Sequence, residues 1–218
     1  MQLELGGKGA NIIFDDAPLD EAVHGSAYAI FHNQGQACIA GSRLLVQDAI
    51  ADKFLDRFLT LTRSLRVGNP LDRSTEMGPL TSAGHRDRVK GYIDVAREQG
   101  STILTGGKPP ANPTLAAGYY IEPTVVTAKP EDRVCQEEVF GPFVSVTRFK
   151  DEAEAIRNAL DKLPLPQREV LSLFFLEEFS GMEIAAIVDA PPGTVKSRLF
   201  YGKKALFEAL KQEIDHDR

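Results

Sequence analysis

The side chains best suited to covalent chemistry fall in three short clusters of a 218-residue sequence. The first, Glu4-Leu5-Gly6-Gly7-Lys8, sets a carboxylate beside a glycine pair. The second, Asn33-Gln34-Gly35-Gln36-Ala37-Cys38-Ile39-Ala40-Gly41-Ser42-Arg43, sets a thiol among small residues. The third, Glu137-Glu138-Val139-Phe140-Gly141-Pro142, joins two carboxylates to an aromatic ring. A thiolate attacks carbonyl carbon, and a carboxylate can act as the general base that activates water. Small neighbours such as Gly35 and Ala37 let backbone N–H groups approach, so that the Cys38 amide can donate to an oxyanion. Taken singly, each cluster also has a plainer reading. Cys38 could be a small buried hydrophobe, Gly6-Gly7 any tight turn, and Glu137-Glu138 a solvated helix start. A fourth cluster is basic: Lys196, Arg198, Lys203 and Lys204 form a window with no acid between them. It suits phosphate neutralisation, or it is merely a solvated face.

These clusters need elements to hold them. Asn11-Ile12-Ile13-Phe14 is a short apolar run ended by two aspartates, the pattern of a buried strand. Pro18-Leu19-Asp20 opens a helix whose Val23, Ala27, Ile30 and Phe31 share a face. Leu44-Leu45-Val46 reads as a second strand. Ile50, Phe54, Phe58, Leu61 and Leu65 then make one helical stripe, ended by Gly68-Asn69-Pro70. A helix from Ser82 to Gln99 leads to Thr102-Ile103-Leu104 and a Gly106-Gly107 turn, and Tyr119 to Val126 and Val144 to Phe149 read as further strands. This alternation predicts an α/β unit around a largely parallel sheet.

Beyond about Leu160 the strand patterns stop and an all-α segment begins. Gln167 to Phe179 carries apolar residues at helical spacing, Ser180 can cap a short helix over Met182 to Val188, and Asp189-Ala190-Pro191-Pro192-Gly193 is a turn. Thr194 is expected to cap a longer helix to about Gln212. In that helix Val195, Leu199, Leu206 and Leu210 lie on one face, and Ser197, Tyr201 and Lys204 on the other. We therefore expect two domains, 1–160 and 161–218.

Composition sets the outer limits. Hydrophobic residues are 43% and charged residues 26% of the chain, with net charge -6, so a disordered chain is excluded. The richest apolar stretch, Val170 to Leu176, is far shorter than the ~20 residues of a membrane span. The N-terminal residues lack the apolar segment of a signal peptide. Two cysteines, Cys38 and Cys135, give no disulfide framework, which points to a reducing cytoplasm. No metal site is assigned.

Together the first three clusters resemble the catalytic domain of the NAD(P)-dependent aldehyde dehydrogenases. The E-L-G-G-K, N-Q-G-Q-x-C-x-A-G-S-R and E-E-V-F-G-P elements stand in the family's order, and the likeness runs from Leu3 to about Arg157. It implies that Cys38 is the nucleophile toward an aldehyde substrate and that Glu4 activates water to hydrolyse the thioester. It also implies that NAD or NADP is the cofactor, that Glu138 hydrogen-bonds the nicotinamide ribose, and that Phe140 packs beside it. Gly6 and Gly7 would let backbone approach the nicotinamide. Cys135 matches no catalytic position. Because the sequence begins at the first motif, the family's dinucleotide-binding domain and oxyanion-hole asparagine are expected to be missing, and activity to be impaired.

From Leu163 the chain resembles region 4 of a sigma-70-type factor of the extracytoplasmic-function class. P-x-G-T-V-K-S-R-L, from Pro191 to Leu199, is its most specific stretch. The likeness implies a helix-turn-helix that reads the −35 promoter element and touches the RNA polymerase β-flap. Lys196, Ser197, Arg198, Tyr201, Lys203 and Lys204 are the expected DNA-contacting residues, with Lys203 snorkelling toward phosphate. Asp189 stands where glycine is common, and tolerates the left-handed conformation. Gly181 replaces a frequent aromatic residue and is expected to loosen the second helix. The alternative to an enzyme fused to a DNA reader is a transcription-initiation module carrying an inactive enzyme remnant.

Overall fold

The computed structural model describes residues 6–150, 165–175 and 179–211, with 175 and 204–211 as backbone. They divide between two compact units, 1–148 and 149–218. Glu4 and the expected boundary near residue 160 lie outside the described residues.

In the first unit the apolar runs become β1 (Ala10–Ile13), β2 (Arg43–Gln47), β3 (Ile103–Thr105), β4 (Thr124–Thr127) and β5 (Phe143–Phe149). They form one sheet in the order β1-β2-β5-β4-β3, which makes β5 the central strand. The β1–β2 and β4–β5 pairs are parallel, and β3 closes one edge antiparallel to β4. Side chains alternate across this sheet. Val125, Val144 and Val146 join one core, whereas Val126 and Phe143 join the other.

Helices α1 (Leu19–Phe31) and α2 (Asp48–Ser64) cover the first face with the stripes read from sequence. Val23, Ala27, Ile30 and Phe31 are buried, and Phe58 stacks on Phe54 and Phe31 at 5.6 and 6.2 Å between ring centroids. Helix α3 (Ala83–Glu98) and the short α4 (Arg133–Gln136) cover the second face through Val89, Ile93, Ala96, Val134 and Cys135. The Ser82 hydroxyl accepts the His85 amide and so caps α3. At the end of β5, Arg148 pairs with Asp48 and Asp52 of α2 at 2.6 and 2.8 Å.

One strand is shorter than its sequence suggests. Tyr119 to Pro123 stays outside the ladder, and pairing starts at Thr124. Pro123 has no N–H to offer, and the Glu122 amide turns instead to the Lys108 carbonyl.

The second unit contains α5 (Leu165–Phe175), α6 (Gly181–Ile187) and α7 (Pro192–Lys211). Its core is Val170, Ile184, Ala185 and Val195, with Phe174 and Leu199 packed against it. A side chain at Gly202 of α7 would run into Leu171 of α5, so glycine permits their close approach. Ser180 and Glu183 form a reciprocal capping box at the start of α6. Gly181 is therefore the first residue of a capped helix, where it does not interrupt the interior. Helix α7 begins at Pro192, two residues before the expected cap. Proline suits a first helical position, and the Thr194 amide bonds the Pro191 carbonyl. Asp189 adopts φ +46°, the left-handed turn anticipated for it. No described helix is long and apolar enough to cross a membrane.

Candidate functional site

The thiol sits on a loop built from unusual backbone. Asn33, Gln34 and Gly35 have φ of 50°, 58° and 68°, three left-handed residues in succession. Such residues cost about 1–2 kcal/mol each when they carry a side chain, and are found where surrounding contacts enforce them. Here the contacts are visible. Asn33 Nδ2 donates to the Gln36 carbonyl at 3.0 Å, Gln36 Nε2 to Gln34 Oε1 at 3.2 Å, and the Thr81 amide to Gln36 Oε1 at 3.0 Å. Gly35 faces the Gly141 carbonyl so closely that a Cβ would overlap it. The next turn, closed by the Ala40 amide on the Ala37 carbonyl at 3.1 Å, presents Cys38 at its exposed tip. The Cys38 backbone abuts Gly7, where an added Cβ would collide with the Cys38 carbonyl. Cys135 is buried in the second core.

The third cluster also reaches the glycine pair. The Gly7 amide donates to Glu138 Oε1 at 2.8 Å, and a Cβ at Gly6 would meet the same carboxylate. Gly6, Gly7, Cys38 and Glu138, distant in sequence, thus share one neighbourhood. Phe140 has φ +58°, and its carbonyl accepts from His85 Nε2 at 2.5 Å while the two rings meet edge to face. Sequence reasoning gave His85 no role, because 55 positions separate it from Phe140 and no local pattern links them.

Lys8 closes the first cluster, on the far side of the glycine pair from Glu4 in sequence. Its ammonium is fully covered and has no hydrogen-bond partner among the described residues. Burial lowers its pKa from the ordinary 10.5 to about 8; Arg43 adds to the fall, while Cys135 and Glu138 oppose it.

In the second unit Val195 turns inward while Lys196, Ser197 and Tyr201 are exposed on α7, and Arg198 is partly so. The Lys203 ammonium lies 3.5 Å from the Phe174 ring centroid, a cation–π contact with α5. The side chains of Lys204, Leu206 and Leu210 lie outside the described residues.

Residues 1–162 match the model of the aldehyde dehydrogenase family. The chain belongs to the aldehyde dehydrogenase family. Residues 153–206 match the model of Sigma-70, region 4, so a sigma region 4 segment follows the aldehyde dehydrogenase segment in one chain. An aldehyde dehydrogenase of Emericella nidulans is 47% identical over 156 residues, covering 71% of this chain and 31% of the relative. PnpE from Pseudomonas sp. WBC-3 is 64% identical with a TM-score of 0.72, covering 73% of this chain and 33% of that one. A betaine aldehyde dehydrogenase from Staphylococcus aureus, in complex with NAD+, is 46% identical with a TM-score of 0.71, covering 72% and 32%. The chain therefore spans about a third of the length of these relatives.

Proposed function

We propose that residues 1–160 carry a thiol-based site for oxidising an aldehyde, joined near residue 160 to a DNA-reading module. The observation that carries this reading is the convergence on Gly7. Its amide holds Glu138, and its missing side chain admits the Cys38 backbone. In the mechanism, the Cys38 thiolate adds to the aldehyde carbon and forms a thiohemiacetal. No hydrogen bond among the described residues engages the Cys38 amide, which leaves it able to donate to the oxyanion. Glu4, by its place in the motif, activates the water that hydrolyses the thioester.

NAD or NADP, when bound, supplies the hydride acceptor. The residues present fit its nicotinamide half, because Glu138 is only half-buried and Gly6 brings no Cβ, which would overlap the carboxylate Oε2. Glu138 would hold the ribose, with Phe140 beside it and Gly6 and Gly7 lining the approach. Two free cysteines, one of them reactive in this scheme, fit a reducing compartment such as the cytoplasm.

Alkylation by iodoacetamide at neutral pH tests the nucleophile. Cys38 should react faster than a free model thiol, and Cys38→Ser should abolish that fast phase. A rate no greater than the model thiol's would remove the activated site.

A second reading belongs to the second unit: α7 enters the major groove of a −35-type promoter element, and the module touches the polymerase β-flap. It is supported by the exposure of Lys196, Ser197 and Tyr201 opposite buried Val195. Duplex binding should be salt-sensitive, and Lys196→Ala or Arg198→Ala should lower affinity and reduce the salt slope by about one phosphate contact each. No binding at low salt would exclude it.

A further inference from the structure

Glu138 reaches Gly7 from a segment without helix or strand, so no ladder fixes the direction of its side chain. The backbone does so through its neighbour. Glu137 is extended, with φ -111° and ψ 147°, and in extended chain successive side chains point to opposite sides. Glu137 is held firmly on one side. The Tyr92 hydroxyl donates to Glu137 Oε2 at 2.8 Å, and Arg133 Nε donates to Glu137 Oε1 at 2.7 Å. Arg88 Nη2 donates to the Glu138 carbonyl at 2.9 Å. Both guanidinium groups also lie over the Tyr92 ring, 5.9 and 5.7 Å from its centroid. The Arg133 bond, followed by the Tyr92 hydroxyl, holds the Glu137 carboxyl below the usual carboxylate range. The Tyr92 ring itself packs on the core of α3 and α4, which sets the place of its hydroxyl.

We propose that Tyr92, Arg133 and Arg88 are positioning residues, a clamp that fixes residues 137–138 so that the Glu138 carboxylate meets the Gly7 amide. The consequence for cofactor binding rests on the reading of Glu138 as the ribose-holding carboxylate; the clamp itself rests on the contacts alone.

Amide hydrogen exchange at Gly7 in the full chain tests it, with Glu138→Ala giving the released rate and strand amides of Val46 and Val144 reporting the core. Tyr92→Phe and Arg133→Met should each speed exchange at Gly7 about ten-fold, the factor for losing one hydrogen bond to a charged acceptor, with core amides unchanged. Arg133→Lys should restore much of the protection. The Arg133 side chain is 55% exposed, so its removal threatens the core least. Wild-type exchange at Gly7 in both variants overturns the clamp, as does equal acceleration of the core amides. Calorimetry of NAD on the wild-type chain and on Glu138→Ala separates the two readings. Faster Gly7 exchange in the variants, with NAD binding that Glu138→Ala leaves unchanged, keeps the clamp and removes the ribose role. NAD binding that Glu138→Ala weakens, with Gly7 unchanged in the variants, keeps the ribose role and removes the clamp.

Discussion

Lys8 is the residue whose environment least matches its chemistry. Its burial destabilises the folded state, because the unfolded chain solvates the ammonium fully. Since its folded pKa of about 8 lies below the ordinary 10.5, the cost is fully present below pH 8. It fades as pH rises from 8 to 10.5, where the unfolded state binds more protons than the folded one. Lys8→Met is therefore expected to stabilise the first unit at pH 7 by up to about 3 kcal/mol, with the gain shrinking toward pH 10.5. Urea midpoints of both proteins across that range check it. A variant less stable than wild type at pH 7 would show that the amine has an anionic partner after all. Lys8 escaped sequence reasoning because solvation depends on what folds over a side chain, and a lysine after two glycines reads as exposed.

At the scale of elements, glycines separate into two kinds that sequence does not distinguish. Gly91 lies in α3 with nothing within 4 Å of where a Cβ would stand. Gly35 has φ +68° and faces a carbonyl. Gly91→Ala should raise stability by about 1 kcal/mol, by helix propensity alone. Gly35→Ala should lower it by at least about 2 kcal/mol, since conformational strain and overlap act together. Thermal melts of the two variants would decide, and melting temperatures shifted in the same direction would contradict the distinction. The helical stripes of α1 and α2 and the Ser180 cap were legible, because each is a local pattern of side chains. The left-handed run from Asn33 was not, because tertiary contacts from Thr81 and Gly141 help enforce it. The limit of β4 at Thr124 was partly readable, in that Pro123 already forbids a ladder donor.

For the whole molecule, the α/β and helical segments were legible because the period of the apolar residues changes after about Leu160. The grouping of the first unit's motifs was legible only through resemblance: spacing along the chain does not state that Gly7 lies between Cys38 and Glu138. The two units also have separate cores, one around the sheet and one around Val170, Ile184 and Val195. Ser180→Ala should thus cost the second unit about 1 kcal/mol and leave the first untouched. Unfolding followed separately by near-ultraviolet signals and by exchange at Ile184 would show it; a matching loss in strand β2 would tie the two together. The chain leaves the first unit through β5, the middle strand, whose last turn outward is pinned by Arg148 to two aspartates of α2. A tug applied from the C-terminal side would consequently load that strand in shear against neighbours on both edges, so many bonds would bear the force at once and the sheet would resist unzipping.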